Sequence, residues 1–180
     1  MAASSRKNRL VDIMIAVAVI AIAIYLYLSS SNTLETSNEP LSHSDNVSVV
    51  SGKMQLSDGD SLYSKGKKIR LIGIDAPELH QSCEKNGRSY PCGELAKKHL
   101  ADLIDGHEIS CTWAKKDKFD RLLGQCLANG HELNRQMVED GWAVSYYDYP
   151  QEEADARNKK LGIWAGTFDW PRLWRRAHPR

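Results

Sequence analysis

The stretch Arg70–Glu78, RLIGIDAPE, constrains the chain most. Leu71, Ile72 and Ile74 favour a strand, and Pro77 stops it, because proline cannot donate to a central ladder and pushes the residue before it away from helix. A strand that ends there carries Asp75 and Glu78 to the rim of a sheet, with Arg70 nearby. Upstream, SVVSGKMQL and SLYSKGKKIRLIGI are strand-like runs separated by Ser57-Asp58-Gly59-Asp60, and Asp-Gly between such runs signals a turn. Lys65-Gly66-Lys67 marks a second turn, so three antiparallel strands are expected.

Downstream, Gly93–Gly106 spaces Ala96, Leu100, Leu103 and Ile104 for an amphipathic helix that stops at Gly106. Two strands, around Glu108–Trp113 and Leu122–Ala128, flank the charged loop AKKDKFDR. Asn129-Gly130 then turns the chain into HELNRQMVEDG, where Leu133, Met137 and Val138 make a second apolar stripe. A third helix is expected over about Gln151–Leu161, before Gly162. Three strands, a helix, two strands and further helices form the order of an α+β fold, a five-stranded OB-type β-barrel with about three helices. Periodicity alone leaves a generic α+β sandwich open.

The chain has 180 residues and a formal net charge of +1. That leaves room for one ordinary domain with appendages, and any nucleic-acid binding must come from locally arranged groups. Arg6, Lys7 and Arg9 precede an apolar run at 11–28, interrupted only by Asp12 and close to bilayer-spanning length. This predicts a basic cytoplasmic N-terminus at 1–10 and a transmembrane anchor at 11–28, with the rest extracytoplasmic, periplasmic or at the cell surface. The same segment reads alternatively as a cleaved signal peptide, with Ser29–Ser31 as the small residues at its end, which makes the protein secreted. Residues 29–48 are Ser/Asn-rich and predict a flexible tether. The folded domain is expected at 49–166, followed by an aromatic and basic tail at 167–180.

Cys83, Cys92, Cys111 and Cys126 are an even set in a domain expected outside the cytoplasm, where disulfides are the default. A hairpin joining EISCTW to LLGQCLA would bring Cys111 to Cys126 and leave Cys83 with Cys92. Sequence alone does not fix that connectivity. A zinc site of His80, Cys83 and Cys92 is the rival, without a C-x-x-C pair to support it.

Asp60 follows the first turn and lies beside the start of the second strand, so it is expected to join Asp75 and Glu78 at an exposed rim. Three carboxylates there suit a hard cation such as Ca²⁺. Arg70, with Arg121 from the second hairpin, adds planar, permanently charged groups that stabilise charge on phosphate oxygens. A carboxylate outside the cation's ligands then orients or deprotonates water. The plain alternative is a set of ordinary surface ion pairs.

Asp58-Gly59-Asp60, RLIGIDAPE at 70–78, DKFDR at 117–121, LNRQMVEDGWA at 133–143 and KKLGIW at 159–164 resemble the thermonuclease, or staphylococcal-nuclease-like, family in order and approximate spacing. The resemblance covers roughly Gly52–Trp164. It implies Ca²⁺ held by Asp60, Asp75 and the backbone carbonyl of Ala76; Ala stands where the best-known member has Thr, a change a carbonyl ligand survives. It also implies catalysis by Arg70, Arg121 and Glu78, the last as general base or water-orienting group. Lys118 and Phe119 match a phosphate-contacting Lys and Tyr, so one hydroxyl is missing. Tyr147 and Tyr149 fall near tyrosines that pack on the base; half-buried tyrosines under a helix are the other reading.

The implied activity is Ca²⁺-dependent phosphodiester hydrolysis of DNA and RNA with low sequence specificity, leaving 3′-phosphate ends. The expected partners are the nucleic-acid substrate and the membrane through the N-terminal helix, with no protein partner and a monomeric state. The alternatives are a non-catalytic nucleic-acid or polyanion binding module and an accessory protein of envelope or exopolysaccharide assembly. In the tail, Trp170, Trp174, Arg172, Arg175, Arg176 and Arg180 would extend a nucleic-acid groove or touch anionic lipid headgroups. The expectation is that the tryptophans pack on the barrel while the arginines face solvent.

Overall fold

The computed structural model describes residues 17–27 and 47–179. They fall into two units, within Met1–His43 and Ser44–Arg180. In the first, residues 17–27 form helix α1, whose Val17, Ile20 and Ile24 are exposed. Among the described residues no helix is long and apolar enough to cross a membrane. The remainder of the expected anchor, the basic segment before it and most of the tether lie outside the described residues.

In the second unit the strands are β1 (Ser48–Gly52), β2 (Gln55–Leu56), β3 (Ser61–Ser64), β4 (Lys67–Leu71), β5 (Ile74–Asp75), β6 (Cys83–Lys85), β7 (Arg88–Tyr90), β8 (Ile109–Lys116), β9 (Leu122–Ala128), β10 (His131–Glu132) and β11 (Val144–Ser145). The helices are α2 (Cys92–Ile104), α3 (Leu133–Glu139), α4 (Pro150–Lys159) and α5 (Pro171–Ala177). The main sheet runs β1-β8-β9-β4-β3-β2, with β10 on β9. β4 and β9 are parallel, and the other pairs of this sheet are antiparallel.

Two expected strands are corrected. SVVSGKMQL breaks after Gly52: β1 pairs with β8, whereas β2 pairs with β3. The two ends of the sheet are therefore halves of one short run, and a sheet whose ends are joined by two residues has to curl. The result is a curled half-barrel within an α+β fold. IRLIGI also breaks: the β4 ladder stops at Leu71, and Ile74–Asp75 pairs instead with Val144–Ser145. Ile72 N–H still donates to the Gly124 carbonyl at 2.9 Å, so the chain leaves β9 by turning at Ile72-Gly73.

Inside the curl, Leu62, Ile69 and Leu71 meet Leu100 and Ile104 of α2 and Leu133, Met137 and Val138 of α3. β9 alternates strictly, with Leu122, Gly124, Cys126 and Ala128 inward. Each fully buried aliphatic side chain contributes roughly 1.5–3 kcal/mol, so this face sets the register. A smaller cluster of Cys83, Cys92, Val144 and Ile163, flanked by Trp164 and Phe168, ties β6 to the C-terminal segment.

α5 was not expected. It opens on Pro171 as its first residue, a good helix start, but its Arg/Trp content carries no apolar stripe that signals a helix. Both disulfides form, Cys83–Cys92 and Cys111–Cys126. The latter pair faces directly across the β8–β9 ladder. With the sulfurs of Cys83 and Cys92 joined, the zinc reading at His80, Cys83 and Cys92 is overturned.

Candidate active site

Gly59 is what lets Asp60 reach the site. A Cβ at Gly59 would lie 2.9 Å from the Cβ atoms of both Ala76 and Ala96, so only glycine lets the 57–60 loop settle between the 74–78 segment and α2. Asp60 follows, 2% exposed. Its Oδ2 accepts the Ala76 N–H at 2.9 Å, and its Oδ1 accepts Ser61 Oγ at 3.0 Å and Arg70 Nη1 at 2.8 Å. Arg70 sits opposite Ser61 in the β3–β4 ladder, and its Nη2 donates to Asp75 Oδ1 at 2.5 Å. One guanidinium thus bridges two buried aspartates, which lie in the interior rather than on an exposed rim.

Burial pushes the Asp60 carboxyl up to about 7; Arg70 and the Ala76 amide pull it down, and Asp58 and Asp75 push it further up. For Arg70, burial works against the charged form, but Asp60 and Asp75 outweigh it and raise the guanidinium above its ordinary value.

Past Pro77, a turn fixes Glu78. Gln81 N–H donates to the Glu78 carbonyl at 2.8 Å, and Gln81 Oε1 accepts the Glu78 N–H at 3.2 Å. Gln81 is fully buried, and its Nε2 donates to the Asp169 carbonyl at 2.6 Å. Gly93 at the start of α2 leaves room for the Glu78 carbonyl, which any Cβ there would strike.

The tail supplies a residue that the sequence placed in solvent. Arg175 of α5 reaches back to the site: Nη1 donates to Asp75 Oδ1 and Glu78 Oε1, each at 2.8 Å, and Nη2 donates to Asp75 Oδ2 at 3.0 Å. Burial opposes its charge, but the hydrogen bonds and charges of Asp75 and Glu78 prevail and raise it well above the ordinary arginine value. The physical reason is plain: Arg70 has one guanidinium for two aspartates, and a third carboxylate stands beside them. Trp170 does pack, its ring 6.0 Å from Trp164. Trp174 instead lines the cleft and stacks on His178 at 4.2 Å. Arg172 and Arg176 are exposed on the same cleft; Arg180 lies outside the described residues.

Arg121 is held by a residue not singled out from the sequence. Asp117 Oδ2 accepts from its Nε and Nη2, each at 2.7 Å, while Asp117 Oδ1 accepts the N–H groups of Phe119 and Arg121. Burial raises the Asp117 carboxyl, yet these bonds outweigh it and hold it below its usual range. The fork is thereby aimed into a cleft also lined by Arg70, Asp75, Glu78, Lys118 and Tyr147. Lys118 lies 5.0 Å from the Phe119 ring centre. Tyr147 is 86% exposed and meets Tyr146 edge-on at 4.5 Å.

Tyr149 is not brought to this cleft. Its hydroxyl donates to Glu132 Oε1 at 2.6 Å, and Arg135 lies over its ring at 5.2 Å. Burial and the Glu132 carboxylate raise its pKa. Strand alternation would put residues two apart on one side; here both tyrosines have left-handed φ, 80° at Tyr147 and 63° at Tyr149, and the turn they make sends their rings to different places, which no composition signal carries.

The expected three-carboxylate cage is likewise changed. Among the described residues no three His, Cys, Asp or Glu side chains are gathered as a metal-holding group, because Arg70 stands between Asp60 and Asp75, and Arg175 between Asp75 and Glu78. The donor set is nonetheless all oxygen, and Asp60 remains under-compensated despite Arg70. Two buried carboxylates with the adjoining Ala76 carbonyl therefore fit a hard divalent cation.

Fold and site together define an OB-like α+β scaffold whose buried, arginine-bridged carboxylates open on a cationic, tyrosine-lined cleft suited to phosphate esters. The chain belongs to the SNase family, the staphylococcal nuclease homologues, which it matches over residues 68–166. It is 31% identical over 123 residues to the succinoglycan biosynthesis protein ExoI of Rhizobium meliloti, covering 64% of each chain. It is 32% identical over 135 residues to an uncharacterized endonuclease of Haemophilus influenzae, covering 68% of this chain and 71% of that one. With the staphylococcal-like nuclease CAN1 of Arabidopsis thaliana the identity is 27% over 136 residues, 71% of this chain but 39% of the plant protein. The chain thus spans less than two thirds of the Rhizobium protein's length and well under half of the plant protein's. The family match ends before α5, so Arg175 lies outside it.

Proposed function

We propose that the protein is a Ca²⁺-dependent nuclease, hydrolysing phosphodiesters of DNA and RNA with low sequence specificity and leaving 3′-phosphate ends. The observation that carries this reading is one cleft presenting Arg70 and Arg121 together with Asp75 and Glu78. Ca²⁺ held by Asp60, Asp75 and the Ala76 carbonyl would supply further positive charge beside the scissile phosphate. Arg121, aimed by Asp117, binds phosphate oxygens and stabilises the charge they gain during attack. Arg70, which bridges Asp60 and Asp75 and lines the cleft, adds a second permanent positive charge beside the phosphate. Glu78, fixed through Gln81, takes the proton of the attacking water or orients it. Lys118 adds a phosphate contact, and Tyr147 offers a face on which any base stacks. None of these contacts reads a base edge, hence the low specificity.

The test is cleavage of single-stranded and duplex DNA by the full-length protein, with Ca²⁺ and then with excess chelator. Cleavage that stops on chelation and is absent in Glu78→Gln supports the reading. A folded protein that binds DNA yet cuts it in no divalent cation leaves a binding module in place of an enzyme.

The site of action in this reading is extracytoplasmic, with 11–28 as anchor or cleaved signal. Arg6, Lys7 and Arg9 before the apolar run, together with two disulfides, support it. Protease added to intact cells or spheroplasts should digest the folded unit; a protected unit sinks that placement. The Rhizobium relative's name raises a second role, in exopolysaccharide assembly, which becomes the stronger reading if the site binds cations but processes no nucleic acid.

A further inference from the structure

We propose that Arg175 competes with the divalent cation for Asp75: its guanidinium takes both oxygens of that carboxylate, and the cation binds Asp75 by displacing it. This rests on the reading of Asp60, Asp75 and Ala76 as cation ligands. Three observations carry it. Arg175 engages both oxygens of Asp75 and one of Glu78, and Arg70 donates to Asp75 as well, so three of the carboxylate's roughly four acceptor sites are taken and a cation at Asp75 is repelled by the Arg175 charge until that fork leaves. The helix that carries Arg175 lies beyond residues 68–166, the stretch that matches the family. That helix is lightly held: of its residues only Pro171 is buried, and Arg172, Leu173, Arg176 and Ala177 are exposed. The Gln81–Asp169 bond and the packing of Trp170 hold the segment before α5, not α5 itself. The ion pairs of Arg175 are therefore a main attachment of α5, and a competitor at Asp75 can detach it without disturbing the core.

A guanidinium brings one charge and a planar fork, whereas a divalent cation brings two charges and accepts up to eight oxygens. The carboxylates thus stay compensated in the cation-free protein and exchange partners when the cation arrives. If Arg175 is engaged nine-tenths of the time, it lowers the apparent cation affinity about tenfold.

The experiment is isothermal titration of Ca²⁺ into the full-length protein without nucleic acid, for wild type, Arg175→Ala and the remote charge control Arg88→Ala. Arg175→Ala should bind Ca²⁺ about tenfold more tightly and Arg88→Ala like wild type. Where Arg175→Ala does not fold, Arg175→Gln serves the same comparison. Hydrogen–deuterium exchange on the wild type gives a second readout: saturating Ca²⁺ should speed exchange across 171–177. The proposal is overturned if removing the Arg175 charge leaves Ca²⁺ affinity unchanged or weaker, if neither protein binds Ca²⁺, or if α5 exchange does not respond to Ca²⁺. None of these readouts involves cleavage, so a protein that binds Ca²⁺ as described but cuts nothing loses the nuclease reading alone.

Discussion

Asp117 shows how a residue outside the reacting set decides whether a reacting group is in place. It spends its two carboxylate oxygens on Arg121 and on the loop's own N–H groups, so one side chain fixes both the turn and the guanidinium. The Arg121 guanidinium otherwise lies over the Phe119 ring, 5.6 Å from its centre, a contact that leaves the fork free to swing without Asp117. Replacing Asp117 with Ala should lower kcat about 10- to 100-fold, the cost of misplacing a group by about an ångström, with a smaller change in KM and little loss of thermal stability. Steady-state kinetics beside a melting curve check it; a loss of stability with normal kcat would make Asp117 purely structural. The motif DKFDR contained Asp117 all along, but its role depends on a turn that brings it back onto Arg121, and no spacing rule predicts that.

Between elements, buried polar groups do the joining. Asn134, the second residue of α3, is fully buried; its Oδ1 accepts the Cys126 N–H at 3.0 Å, and its Nδ2 donates to the carbonyls of Ile72 at 2.8 Å and Gly124 at 3.0 Å. It thereby closes the gap where β4 parts from β9. Asn134→Ala removes the partner of the buried Cys126 N–H and of the Ile72 carbonyl, while the Gly124 carbonyl keeps the Ile72 N–H; it should cost about 1–3 kcal/mol, the penalty of one orphaned buried group, and urea denaturation measures it. The Cys111–Cys126 bond spans a sequence separation of 15, and its removal in a Cys111→Ala/Cys126→Ala pair should cost about 2–4 kcal/mol, read by the same titration against the wild type. The hairpin carrying these cysteines was legible because both strands alternate or are β-rich and a charged loop separates them. The breaks after Gly52 and after Leu71 were not, because where one strand changes partners depends on how far the sheet has already curled.

Over the whole molecule, charge is arranged rather than abundant. The formal net charge is only +1, yet Lys68, Lys118, Arg172 and Arg176 share one cleft with Arg70 and Arg121. DNA binding measured with chelator present should therefore weaken steeply with salt. Lys118→Ala should reduce the slope of log K against log salt by about 0.9, one phosphate contact. Filter binding across a salt series checks this, and an unchanged slope would remove Lys118 from the nucleic-acid path.

The sequence by itself indicated helices α2, α3 and α4, the β8–β9 hairpin and the turns at Asp58-Gly59 and Lys65-Gly66, because periodicity and turn residues are local properties, and its motifs picked out Asp60, Arg70, Asp75, Glu78 and Arg121 through their resemblance to one family. Tertiary structure alone decided that Asp60 and Asp75 are buried under one shared guanidinium, that Tyr147 faces the cleft while Tyr149 turns to Glu132, and that Arg175 returns to the site from α5. Those outcomes depend on which charges are left uncompensated once the chain is folded, and that balance exists only between residues far apart in sequence.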